Sequence, residues 1–136
     1  MNKFHKQSGF TLIELIIVVV ILGVIGGMAL PRLTGALERH RAQEGAQTLY
    51  AVLDAQRRYF MENGAYATTT DALDISVTNS GYFVAPEVMP DEQTPTEIAV
   101  INRNNSAYNL HISDQGVILC DGDQATCAQT GFQVAP

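Results

Sequence analysis

Phe10-Thr11-Leu12-Ile13-Glu14-Leu15-Ile16-Ile17-Val18-Val19-Val20-Ile21-Leu22-Gly23-Val24-Ile25-Gly26-Gly27-Met28-Ala29-Leu30 decides how this chain is read. From Leu15 to Leu30 it holds no charged residue. As a helix, Phe10 to Leu30 is about 32 Å long at ~1.5 Å per residue, which matches a hydrocarbon core of roughly 30 Å. Glu14 stands inside this span, where a charge costs on the order of 2.5–3.5 kcal/mol. A carboxylate there is a functional-site candidate whose partner has to be named. The preceding Met1 to Gly9 is short, polar and basic through Lys3 and Lys6, which places the N-terminus on the cytoplasmic side.

The order of these parts differs from a secretory signal, in which small residues follow the apolar stretch and mark the cut. Here Gly9 comes before it. Cutting between Gly9 and Phe10 removes the leader, keeps the apolar helix and exposes the α-amine of Phe10. That amine is largely cationic at neutral pH and supplies a partner for Glu14, on the same helix face or on a parallel neighbour. A buried pair costs less than two lone buried charges, so the pairing would also set the register of assembly. A signal cut after Gly27-Met28-Ala29 is the competing reading, and Glu14 argues against it. A plain single-pass anchor gives Glu14 no reason to stand beside a Gly-Phe junction.

Gly9-Phe10-Thr11-Leu12-Ile13-Glu14 after a lysine-containing leader resembles the class III signal of type IV pilins and the related secretion pseudopilins. The resemblance implies cleavage after Gly9 by a prepilin peptidase, N-methylation of Phe10, and subunit registration by Glu14. Gly23 and Pro31 resemble positions where helices of the family are weakened or kinked. Proline removes a backbone donor and glycine lowers helix stability, so the residues themselves point the same way.

After Pro31 the pattern is that of an amphipathic helix. Leu33, Leu37, Ala42, Ala46, Leu49, Leu53 and Phe60 recur at helical spacings, and acids and arginines fill the other faces. Asp54 and Arg58 form an expected i,i+4 pair. Asn63-Gly64 is a helix stop. One helix from about Phe10 to Glu62 follows. The connection from Ala67 to Thr96 is loop-rich, with a helical turn at Asp71-Ala72-Leu73 and a short strand at Tyr82-Phe83-Val84. Strands are expected at Ile98–Ile101, Tyr108–Ile112 and Val117–Leu119, with turns at Asn104-Asn105 and Asp114-Gln115-Gly116. One face of this antiparallel meander should bury Leu49, Leu53 and Phe60, with His111 on the strand surface. The expected fold is α+β: a long N-terminal helix packed on a small antiparallel sheet. Its parts are the leader (1–9), the apolar membrane and filament-core helix (10–32), the amphipathic half (33–63) and a globular head (64–136).

The chain has 136 residues and a formal net charge of −6. Beyond Glu62, Arg103 is the only lysine or arginine, against nine acids from Asp71 to Asp123. This argues against nucleic acid as a partner, since phosphate affinity rests on clustered Lys and Arg. In an exported protein, Cys120 and Cys127 favour a disulfide, and a C-terminal disulfide loop also resembles many type IV pilins. Asp121 and Asp123 are weak calcium candidates, since calcium wants six to eight oxygens. No metal site or cofactor is otherwise indicated, and no catalytic constellation supports an enzyme.

The sequence therefore reads first as a pilin, a structural subunit that forms a homopolymer for adhesion, motility or uptake. The alternative is a type II secretion pseudopilin, whose major form tends to carry a calcium-binding C-terminal loop. The cysteine loop here tilts toward the pilus. The partners implied by the resemblance are identical subunits, the prepilin peptidase, the membrane before assembly and the inner-membrane assembly machinery. The precursor is expected in the inner membrane, and the product in an extracellular pilus or a periplasmic pseudopilus.

Overall fold

The computed structural model describes residues 9–89 and 97–136. The chain divides into two compact units, Met1–Thr34 and Gly35–Pro136. Helix α1, Leu12–Asn63, contributes its first part to one and its second part to the other.

In the first unit the apolar side chains of α1 lie open. Leu15 is 64% exposed and Val20 59%. The stretch has no polar stripe that would mark one face as the outer one. On either side of residues 29–32, neither Leu12–Met28 nor Leu33–Asn63 alone is long and apolar enough to cross a membrane. The two together are, by length and composition.

In the second unit α1 packs on a five-stranded sheet of order β1-β2-β3-β4-β5. The strands are β1 Glu87–Val88, β2 Ala99–Asn102, β3 Tyr108–Ile112, β4 Ile118–Gly122 and β5 Gln133–Val134. β1 to β4 pair antiparallel, and β5 returns parallel to β4. The α+β reading stands. The fifth strand and helix α2, Gln124–Thr130, are additions to the expected meander. A parallel return needs a crossover, and α2 is that crossover.

β3 alternates as its sequence requires. Tyr108, Leu110 and Ile112 are buried, and Asn109 and His111 are only partly covered. The inward set meets Ala42, Ala46, Leu49, Val52 and Leu53 of α1 in one core. Small residues let helix and sheet approach: a Cβ on Gly45 would stand 2.9 Å from the Phe83 ring. Gln56, fully buried, closes the core at the helix exit. It donates to the Ala67 carbonyl (2.9 Å) and accepts from the Ala67 N–H (2.8 Å). The helix ends at the expected Asn63-Gly64, where Gly64 takes a positive φ of 72° that a side chain would resist.

Several expectations are corrected. Phe60 is 43% exposed and stacks on Tyr66 at 4.8 Å rather than entering the core, because it lies in the last turn of α1. Arg58 turns from Asp54 to Asp74, which offers two oxygens at 2.7 Å, and Asp54 is left with Arg57 at 3.8 Å. Two parallel N–H donors on one carboxylate outcompete a single i,i+4 contact. Tyr82-Phe83-Val84 makes one bridge, Phe83 to Arg103, instead of a strand. The helical turn expected at Asp71-Ala72-Leu73 is present, as a 3-10 turn over Thr70–Ala72. His111 is on the outward face of β3 as expected, though partly covered, with 23% of its side chain exposed. The segment 90–96 of the loop-rich connection lies outside the described residues.

Candidate functional site

The N-terminal candidates gather at the start of α1. Gly9 and Phe10 precede the helix, and Phe10 is 91% exposed. Leader residues 1–8 lie outside the described residues. Thr11 caps the helix. The Glu14 N–H donates to Thr11 Oγ1 (3.3 Å), and the Glu14 carboxylate accepts from the Thr11 N–H (3.2 Å) and hydroxyl (3.1 Å). This is a reciprocal capping box that satisfies two donors left free by the helix start. Its signal, Thr-x-x-Glu before an apolar run, is legible in Thr11-Leu12-Ile13-Glu14, where the sequence reading assigned Glu14 a cationic partner instead. Glu14 thus has a partner within its own chain, and its carboxylate sits at the positive end of the helix dipole.

Gly23 lies in α1, and beyond the helix's own backbone nothing stands within 4 Å of where a Cβ would be. Pro31 falls within the bounds of the same helix.

A second cluster, unforeseen in the sequence, ties α1 to the sheet. Glu38 accepts from Arg103 Nε (2.8 Å), the Tyr108 hydroxyl (3.0 Å) and Arg41 Nη1 (3.0 Å). Arg103 is 7% exposed, donates also to the Tyr82 carbonyl (2.8 Å), and lies over the Tyr82 and Phe83 rings. The Arg103 guanidinium is the main reason the Glu38 carboxyl is lowered to about 2, with burial opposing. Burial, reinforced by the Glu38 charge, raises the Tyr108 hydroxyl above its usual range. The signal was Arg103 itself, the one arginine in an acidic head, since such a cation enters a core only with a carboxylate.

At the C-terminal end, Cys120 of β4 and Cys127 of α2 form a disulfide, with Cα atoms 5.7 Å apart. The two calcium candidates do not converge. Asp123 caps α2, accepting from the N–H groups of Ala125 (2.9 Å) and Thr126 (3.2 Å) and from the Thr126 hydroxyl. Asp121 points instead toward His111. Among the described residues no group of three or more His, Cys, Asp or Glu side chains could hold a metal ion. The N-terminal arrangement is an exposed apolar surface that begins at a capped carboxylate, Glu14, four residues after Phe10.

Comparison with known proteins agrees with this. Residues 4–30 match the family described as "Prokaryotic N-terminal methylation motif". The type II secretion system core protein G of Vibrio cholerae is 38% identical over 78 residues, which is 57% of this chain and 53% of that protein. That of Aeromonas hydrophila is 38% identical over 73 residues, 54% and 51% of the two chains. That of Klebsiella pneumoniae is 34% identical over 99 residues, 73% and 66% of the two chains. The chain thus spans about half the length of the first two relatives and more of the third. No solved structure gives a significant match. The methylation motif, the long helix on its sheet and these relatives together make the chain a member of the type IV pilin and pseudopilin family.

Proposed function

We propose that the chain is a pseudopilin, a structural subunit of a type II secretion system that polymerises through the apolar part of α1. This places the alternative ahead of the pilus reading. The N-terminal motif is common to both classes and does not separate them, whereas the relatives carry the name type II secretion system core protein G. The cysteine loop that tilted the sequence reading toward the pilus is one local feature against that similarity.

The supporting observation is the apolar start of α1, exposed along its length and bearing one carboxylate. In water such a surface is unstable; in lipid, or against identical helices, it is buried. The order of events follows from that. The precursor sits in the inner membrane, with its basic leader on the cytoplasmic side. A prepilin peptidase cuts after Gly9 and methylates Phe10. The freed, still cationic amine draws Glu14 from its cap to a neighbouring subunit, which sets the register. Gly23 and Pro31 weaken the helix enough for it to adjust during assembly. The product is a homopolymer in a periplasmic pseudopilus, and the role is structural rather than catalytic.

The test is intact-mass and N-terminal peptide spectrometry on chain isolated from cells carrying a prepilin peptidase and the secretion machinery. A chain beginning at N-methylated Phe10 and recovered in a pelletable polymer is the expected result. A chain beginning at Leu30, or only an uncut membrane protein, overturns the proposal.

A further inference from the structure

Among the arginines whose side chains are described, one is unclaimed. Arg41 and Arg103 pair with Glu38, Arg57 with Asp54, and Arg58 with Asp74. Arg39 is exposed on α1 and takes part in no ion pair or hydrogen bond. It rests against Gly131, where a Cβ would stand 3.3 Å from its Nε. Glu44, five residues on, is also exposed, and its carboxylate has no ion pair. A lone exposed charge is ordinary; the spacing of these two carries further.

Arg39 and Glu44 lie roughly 140° apart around α1, at about 100° per residue. They stand on the two shoulders of its outer face, with the exposed His40, Gln43 and Gln47 between them. Ala42, Ala46 and Leu49 fill the opposite, buried face. Two shoulders of one helix do not meet each other, but they meet between two copies lying side by side. A contact between two different patches is head-to-tail, and unless its rotation closes a ring it propagates as an open helical filament.

The spacing along the axis fits the N-terminal contact proposed above. Phe10 of one copy against Glu14 of the next is a step of about four residues, roughly 6 Å of helix. Arg39 against Glu44 is a step of about five in the same direction, roughly 7.5 Å. In a polymer of identical subunits one displacement relates every residue of a copy to the next. A step that brings Phe10 to Glu14 therefore brings Arg39 close to the level of Glu44 wherever α1 runs along it. The difference is one residue's rise, ~1.5 Å, well inside the reach of an arginine side chain.

Arg57 and Glu62 repeat the spacing eighteen residues further along α1. Eighteen residues are about five turns at ~3.6 each, so this pair stands on the same two shoulders. Arg57 is already held, by Asp54 at 3.8 Å and the Asp114 carbonyl at 2.8 Å, which leaves Arg39 as the cation free to reach outward.

We propose that Arg39 of one copy pairs with Glu44 of its neighbour, α1 beside α1, at the step that joins Phe10 to Glu14. The contact rests on the homopolymer reading and deepens it: register is set at two levels of the helix, one in the apolar layer and one on the head.

The test uses the full chain in cells that assemble it. Pelletable polymer is measured for Arg39→Glu, Glu44→Arg and the double exchange, with protease resistance reporting the fold of the head. Each reversal sets like charges together and should lower polymer roughly tenfold, and the exchange should restore most of it. Arg39→Gln and Glu44→Gln remove the attraction without adding repulsion. Each should lower polymer roughly two- to fivefold, and they carry the reading where a reversal misfolds. Wild-type polymer in the single variants overturns the proposal, as does loss without restoration in the exchange. Wild-type polymer in Arg39→Glu beside loss in Glu14→Ala overturns this contact alone and leaves register to the N-terminus. Absence of polymer from the unmodified chain overturns the homopolymer reading instead.

Discussion

Leu15 is 64% exposed and Leu49 is fully buried, yet both are leucines of α1. Burial of a leucine is worth about 1.5–3 kcal/mol in either place. The head supplies the partner for Leu49 from its own sheet, with Leu110 and Ile112 in the same core. The N-terminal unit supplies none for Leu15. The two carboxylates differ in the same way. Glu38 takes four hydrogen bonds from three side chains of the second unit, whereas Glu14 is held by the Thr11 cap and remains exposed. One region completes its interactions inside the chain. The other is left exposed, and it is the surface that the proposed function assigns to assembly.

The first of the two large effects tests the incomplete region. Glu14→Ala should lower polymer on the order of a hundredfold, the equivalent of roughly 2.5–3.5 kcal/mol for an unpartnered charge in the apolar layer. Cleavage after Gly9 and the thermal unfolding of the head should stay unchanged. Polymer at wild-type level in this variant would remove the registration role and erase the distinction between the two carboxylates.

The matching change in the head is Glu38→Ala. It leaves Arg103 buried without its carboxylate, and loss of one partner from a buried pair costs about 3–5 kcal/mol. Urea unfolding of the head should show that loss, with cleavage unaffected. The pair also sets an acid limit. The folded pKa of Glu38 is about 2, below its ordinary 4.5, so its contribution is complete above pH 4.5 and fades as pH falls toward 2. Unfolding measured across that window should steepen for the wild type and flatten for Glu38→Gln.

How far each region could be read beforehand follows the same division. In the N-terminal segment the signals are contiguous: Gly9, Phe10, Glu14 and the apolar run lie within one stretch, and periodicity needs no partner to be seen. The helix face through Ala42, Ala46, Leu49 and Leu53 and the alternation of Tyr108, Leu110 and Ile112 were legible for that reason too. Phe60 fits the same period but lies where the sheet no longer covers the helix. The Glu38–Arg103 pair joins residues far apart in sequence, and the clamp of Gln56 on Ala67 depends on where the chain turns back after α1. Neither leaves a local pattern. β5 is two residues long and gains its place only once α2 has carried the chain back along β4.

Next in size is the cross-link. Replacing Cys120 and Cys127 together by serine should destabilise the head by roughly 2–3 kcal/mol, the chain-entropy value for so short a loop. Equilibrium unfolding with and without reductant checks it: reductant should weaken the wild type and leave the double variant unmoved. A variant as stable as the wild type would mean that α2 and β5 are held by packing and the Asp123 cap alone.

The smallest effect sets two glycines of α1 against each other. An Ala gains up to about 1 kcal/mol of helix propensity over Gly in either place. At Gly45 the new methyl would stand 2.9 Å from Phe83, a ring only 1% exposed and edge-on to Tyr108 at 6.1 Å. Overpacking of that kind costs typically ~1–3 kcal/mol, so Gly45→Ala should lower head stability by a net amount on the order of 1 kcal/mol. At Gly23 nothing beyond the helix's own backbone lies within 4 Å, so the methyl meets open space and the head should unfold as before. Thermal unfolding of both variants decides it. A stabilised Gly45→Ala would show that the Phe83 ring has room to retreat and that the head is packed less tightly than its buried side chains imply. A destabilised Gly23→Ala would show that the N-terminal segment contributes to the head after all, which is the one result that would collapse the contrast between the two regions.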